Sequence, residues 1–269
     1  MSDWLESRIP PGRVTLLGIV VATLRIMILV LVIYGGLVLM MLLRVIEIPL
    51  FGAQRPVTPF ITQSVCKLTL MIFGLRLRLS GRPISGHTSR VCNHVSWMDV
   101  FVLNAASRSY FVAKSEVSGW LVIGLLARAT GTVFITRKPQ EVNAQKNMLE
   151  QRLNLGHDLT FFPEGTSTDG MRVLPFKSAL FAAFLTEKFK PSSKLQPISL
   201  RYQAPTGQDP RLYGWWGDMS FVQHFLRLLA TPRGGDVYLT YHEALCATDF
   251  FSRKDLAQAC HAKVLAGLH

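Results

Sequence analysis

A chain of 269 residues is long enough for one large domain or two small ones, but 49% hydrophobic residues, only 17% charged residues and a mean hydropathy of +0.27 argue against an ordinary soluble domain and for membrane association. The 29 Lys and Arg against 17 Asp and Glu leave a net charge of +12, which suits anionic lipid headgroups or an acidic soluble partner; no nucleic-acid-binding motif accompanies it, so no nucleic-acid partner is expected. Cys66, Cys92, Cys246 and Cys260 lie far apart without CxxC spacing, as reduced thiols do, and suggest neither a disulfide framework nor a zinc site.

The first element is apolar. Between Val14 and Leu43 the only charge is Arg25, and the stretch 26–43 is 18 uncharged residues, the threshold for a spanning helix. It is too long for a signal-peptide core and no small-residue cleavage site follows, so an uncleaved anchor is expected. Positive charges flank it about equally (Arg8, Arg13 and Arg25 before, Arg44 and Arg55 after), so orientation stays open, as does spanning against lying flat. Pro49, Gly52, Pro56 and Pro59 mark a linker. A second apolar stretch, about 60–75, carries Lys67 and runs into "LRLRLSGR"; it reads as a helix half-immersed at the bilayer surface, with a core helix as the rival.

Beyond residue 75 short β-type runs alternate with helical ones. Strands are expected at 75–79, 89–93, 109–113, 131–136, 159–162, 195–201 and 236–242, and helices at 97–106, 116–128, 140–155, 177–189 and from about 253. Ser252 and Asp255 are spaced as a capping box for the last helix. The alternation predicts an α/β fold, a mixed sheet flanked by helices behind an N-terminal hydrophobic helix, with sites just beyond the carboxyl ends of strands.

At one such end stands "VCNHVSWMDV" (91–100). On a continuous helix His94 and Asp99 would sit roughly 140° apart. If a strand ends near Asn93 and a helix capped by Ser96 follows, the bend lets Asp99 reach the imidazole, fix its tautomer and leave the other nitrogen as a base. The bland alternative is a loop histidine beside a helix-start aspartate. Three more stretches lie at predicted strand ends. "GTVFITRK" (131–138) delivers Arg137 and Lys138, and "FFPEGTSTDG" (161–170) offers the amides and short donors that bind phosphate or headgroups. "LQPISLRY" (195–202) puts Pro197 inside an apolar strand, which suggests a bulge or an edge beside a site.

The ordered blocks NHxxxxD (93–99), GxxFxxR (131–137), FPEGT (162–166) and a Pro-led strand (197–200) resemble the lysophospholipid and glycerol-phosphate acyltransferase family over about residues 75–202. Together with the apolar N-terminal pattern, the resemblance leads to residues 1–59 as membrane anchor and linker and 60–269 as an acyltransferase domain, with the docking helix at about 60–75 and the motif-bearing core at about 75–202. It implies His94 as general base, Asp99 as its orienting partner, and Asn93, Arg137, Glu164, Gly165, Thr166, Lys177 and Pro197 as substrate-binding residues, Pro197 by shaping the acyl or acceptor pocket. Thr136 and Ser167 depart from the Asp and Arg the family often carries there. The run "EGTSTDGMRVLPFKSALF" and the later "GWWGDMSF" (214–221) are similar to the bacterial subgroup that acylates lyso-ornithine lipid, and Arg172 or Lys177 would replace the missing charge.

The implied activity is O-acyl transfer from acyl carrier protein or a coenzyme A thioester to a lysolipid hydroxyl, without metal or cofactor, at a bacterial inner membrane with the catalytic domain facing the cytoplasm. A 1-acylglycerol-3-phosphate acceptor is the alternative, a hydrolase or a non-catalytic lipid-binding protein the more distant ones. Cys92, on the His94 face of an extended strand, and Ser96 are rival nucleophiles for a covalent route. The aromatic "YGWWGDM" (213–219) suits a membrane interface or a pocket wall.

Overall fold

The computed structural model describes the chain except residues 1–3, 8, 10–14, 85–87, 137–141 and 269, and the side chains of 142–146. Among the described residues eight strands form one mixed sheet: β1 (Arg76–Ser80), β2 (Thr88–Cys92), β3 (Tyr110–Lys114), β4 (Val133–Ile135), β5 (Leu159–Phe161), β6 (Lys194–Gln203), β7 (Asp236–Tyr241) and β8 (Leu245–Cys246). The order is β1-β7-β6-β2-β5-β3-β4, with β8 also on β6. Strands β6, β2, β5, β3 and β4 run parallel, whereas β7 and β8 pair antiparallel with β6 and β1 follows β7.

Neighbouring strand residues serve opposite faces, as the pleat requires. Val91 and Leu195 pack with Phe181, Phe184, Leu256 and Cys260, under the 3₁₀ turns of Ser178–Leu185 and the helix α7 (Arg253–Ala266). Cys92, Ile198 and Leu200 pack on the other face with Leu70, Phe73, Val102 and Leu228. Those belong to α2 (Thr58–Phe73), α3 (Asp99–Ala106) and α6 (Phe221–Ala230). Helices α4 (Leu121–Ala129) and α5 (Val142–Asn154) complete the frame.

The apolar first segment is α1 (Leu16–Phe51), a 36-residue helix long and apolar enough to cross a membrane. It is laid along the domain. Arg25 donates to the carbonyls of Leu229 and Thr231 at the end of α6, at 2.9 and 2.6 Å. Gly36 faces Val65 of α2, where a Cβ would collide with the valine methyl. Near the far end the buried Glu47 accepts from the Val57 and Thr58 amides and the Thr58 hydroxyl. The opposite side of α1 exposes Leu16, Leu31, Val38, Leu42 and Val45 among others.

Pro197 corrects half of its expectation. Strand β6 is central, not an edge, flanked by β2 on one side and by β7 and β8 on the other. The other half, a bulge, is present on the partner strand. Ile198 pairs with Tyr241 and Leu195 with Leu245, so three residues (242–244) face two (196–197). The proline sits where the ladder is interrupted and needs no N–H. Within 177–189, expected as a helix, Ser178–Leu185 forms 3₁₀ turns instead, and α6 was not foreseen.

Candidate active site

His94 lies between the end of β2 and the start of α3, and the chain does bend there. Helix α3 opens at Asp99 with Met98 as its cap, so Ser96 is not the N-cap; its carbonyl accepts from the Asp99 amide at 3.1 Å. The bend brings Asp99 Oδ2 to 2.8 Å from His94 Nδ1. The same oxygen accepts from the amides of Val95 and Ser96 at 2.7 and 3.0 Å, and Oδ1 accepts from the Tyr202 hydroxyl at 2.8 Å. Asp99 is wholly buried, and these four donors compensate its carboxylate. Because a carboxylate only accepts, Nδ1 of His94 carries the hydrogen and Nε2 keeps its lone pair. Burial and the adjacent Asp99 push the Tyr202 phenol well above its ordinary range, so it stays a donor.

The imidazole is held on its other sides too. Its ring stacks on Phe162 at 4.2 Å, and Phe162 stacks on Phe111. The His94 carbonyl accepts from the Thr168 amide at 2.9 Å, and the Val95 carbonyl from the Trp215 amide at 2.9 Å. Asn93 is a cross-strand clip: its amide group donates to the Leu200 carbonyl at 2.9 Å and accepts from the Leu200 N–H at 2.8 Å.

Glu164 follows β5 in the 162–166 block and is 1% exposed. One of its oxygens accepts from the His94 amide and the other from the Leu174 amide, both at 2.6 Å. Those bonds place Glu164 behind the histidine rather than among groups open to a headgroup. Burial raises its pKa to about 8, against the opposing pull of the two amides. Gly165 makes the turn at φ 73°, a left-handed conformation suited to glycine, and leaves Thr166 exposed. Lys177 is exposed and its amide donates to the Pro163 carbonyl at 2.9 Å. Arg172 is held by a fork to the buried Asp169 at 3.1 Å. Arg137 lies outside the described residues. Sequence reasoning missed Tyr202, Phe162 and Leu174. Tyr202 stood in the quoted strand, at the end of its apolar Ile198–Leu200 face.

Neither rival nucleophile is presented to a substrate. Cys92 is fully buried and burial holds its thiol well above the ordinary range. Ser96 is also fully buried, its hydroxyl accepting from the Met98 amide. In the aromatic loop, Tyr213 and Trp216 are buried in the interior, while Trp215 is half-buried. Among the described residues no cluster of His, Cys, Asp and Glu could hold a metal.

The comparisons with known proteins point to one family. Residues 87–200 match the family model described as Acyltransferase. Over 266 residues the chain is 49% identical to the lyso-ornithine lipid O-acyltransferase of Rhodobacter capsulatus, covering 98% of this chain and 96% of that one. It is 36% identical over 132 residues, about half of each chain, to a 1-acyl-sn-glycerol-3-phosphate acyltransferase of Neisseria gonorrhoeae. The crystal structure of the PlsC acyltransferase of Thermotoga maritima superposes with a TM-score of 0.64 at 19% identity, over 93% of this chain and 94% of that one, and shares the fold.

Proposed function

Since the chain belongs to the acyltransferase family, we propose that it moves a fatty acyl group from an acyl thioester to the free hydroxyl of a lysolipid, with lyso-ornithine lipid as preferred acceptor. The observation that carries the chemistry is the Asp99-locked tautomer of His94, whose Nε2 is free to take a proton. The acceptor hydroxyl gives its proton to Nε2 as its oxygen bonds to the thioester carbonyl carbon. The tetrahedral oxyanion then collapses, the C–S bond breaks, and the imidazolium returns the proton to the leaving thiolate. Asp99 balances the imidazolium charge throughout. Tyr202 and Glu164 act as positioning residues, one through Asp99 and the other through the His94 amide. Asn93 is assigned the same indirect role from its clip to β6, and Pro197 shapes the sheet beneath.

Headgroup recognition is assigned to Arg137, Gly165, Thr166 and Lys177. The position that often carries Arg in the wider family is Ser167 here, buried and donating to the Trp215 carbonyl, which speaks against a phosphate monoester bound from that position. The donor is acyl carrier protein or acyl-CoA, and the +12 charge favours an acidic carrier protein.

Residues 1–59 serve as anchor and linker and 60–269 carry the chemistry, at the inner face of a bacterial cytoplasmic membrane. Helix α1 meets the domain from Arg25 to Glu47, about 33 Å of helix, which supports a helix lying in one leaflet over one that crosses. The test is an acceptor panel with purified protein and labelled acyl thioesters, carrier-bound and CoA-bound. Diacyl product from lyso-ornithine lipid in at least tenfold excess over that from lysophosphatidic acid is expected. The reverse preference overturns the acceptor, and free fatty acid alone overturns transfer.

A further inference from the structure

At the other end of the sheet from His94 lies a cavity of about 320 Å³. It opens between the α1–α2 connector (52–57), the residues ahead of β3 and the loop that joins α5 to β5. Arg55, Asn104, Arg108, Ser109, His157 and Asp158 line it with Tyr110. By strand rise it is about 16 Å from Phe162, the ring under His94, so it belongs to a different site.

Three observations make it a site built for an anion. His157 is 6% exposed, lines the cavity, and has no hydrogen-bond partner at either ring nitrogen among the described residues. A buried imidazole with both nitrogens unanswered is costly, and it leaves this wall polar and short of partners. Secondly, the wall's carboxylate is already engaged: Asp158 binds Arg90 at 2.9 Å. No carboxylate among the described residues pairs with Arg55 or Arg108, whose fixed contacts are the Ala129 carbonyl at 2.6 Å and the Phe60 ring at 3.8 Å. Thirdly, exposed apolar side chains from the connector and the adjoining helix ends flank the mouth. Phe51 at the end of α1, Val57 in the connector and Phe60 in α2 are each about half exposed.

We propose that this cavity binds the phosphate of an anionic membrane phospholipid, at a site separate from the catalytic one. The Arg55 and Arg108 guanidiniums face the phosphate oxygens, the His157 ring forms part of the wall behind them, and the acyl chains follow the apolar side chains Phe51, Val57 and Phe60. The bound lipid would pin the α1–α2 connector to the base of the sheet.

The test is native mass spectrometry of the full chain in neutral detergent, titrated with phosphatidylglycerol and, in a second arm, with inorganic phosphate. Arg108 is exposed, so Arg108→Glu and Arg108→Lys should fold like the parent. The expected result is one tightly held phosphatidylglycerol per chain, an affinity at least tenfold lower for Arg108→Glu and Arg55→Gln, and near-parental affinity for Arg108→Lys. Arg253→Glu, an equal charge change on the exposed surface of α7, should leave binding as it is. Equal weakening by Arg108→Glu and Arg253→Glu would overturn the site. Inorganic phosphate binding as tightly as the lipid would overturn its assignment to a membrane lipid.

Discussion

His94 and His157 make a natural pair. Each ring is stacked on an aromatic neighbour at 4.2 Å, Phe162 for one and Tyr110 for the other, at opposite ends of the same sheet. Their surroundings differ in one respect. His94 has a buried carboxylate at 2.8 Å, itself held by two amides and a phenol. His157 has arginines instead, and burial together with Arg152 and Arg55 lowers its pKa to about 4. Stacking is therefore not what sets His94 apart. What does is a charged acceptor that orders the proton on one nitrogen and leaves the lone pair on the other.

Asp99→Asn breaks that difference most directly. An amide loses the buried charge and presents a donor to some of the same groups, so kcat/KM should fall by about 10³-fold with the fold intact by circular dichroism. An unchanged rate would remove Asp99 from the mechanism. Glu164→Gln comes next. Its single acceptor oxygen cannot serve both the His94 and Leu174 amides, a loss of about 1–3 kcal/mol, or roughly tenfold to a hundredfold in kcat if it is expressed in the transition state. A substrate-binding role would instead raise KM with kcat held, and steady-state kinetics separates the two.

Glu164 also carries a pH signature. Its folded pKa of about 8 lies above the ordinary carboxylate value, so its contribution to stability is complete below the ordinary range and is lost as pH rises through 8. Denaturant titrations from pH 6 to 9 should show that decline in the parent and not in Glu164→Gln. Tyr202→Phe removes one neutral donor to Asp99, worth about 1 kcal/mol, and should slow turnover by about fivefold with KM unchanged.

The smallest effect concerns acid stability. His224 is buried, accepts from Trp97 at Nδ1 and donates to the Leu212 carbonyl, and burial lowers its pKa to about 4, as for His157. A folded pKa below the unfolded one means the unfolded chain binds more protons between about pH 4 and 6.5, so stability rises with pH across that window and is lost as the pH is lowered through it. His157→Gln should flatten part of that slope in chemical denaturation.

Much of the architecture was legible because local rules and tertiary context agree. The period-2 runs around Val91, Leu195 and Val237 became strands within a residue or two of their expected bounds. The dyad was legible because a five-residue gap across a strand-to-helix bend is short-range. The position of Glu164 was not, since only the folded chain brings the amides of His94 and Leu174 to it. Tyr202 reaches Asp99 across more than a hundred residues of sequence, and no local pattern announces that. The run "SALFAAFL" misled because a segment apolar on every side has no helical face to read; wedged between Phe161 and α7 it closes into tighter turns. The α6 segment "FVQHFLRLLA" did carry a helical period, with His224, Leu228 and Leu229 buried on one side.

The most direct measurement is acyl transfer by purified His94→Ala beside the parent, with labelled acyl thioester and lyso-ornithine lipid. The dyad predicts diacyl product from the parent, no labelled protein, and a loss of about 10³-fold or more in the variant. Transfer at the parental rate without the imidazole would contradict it.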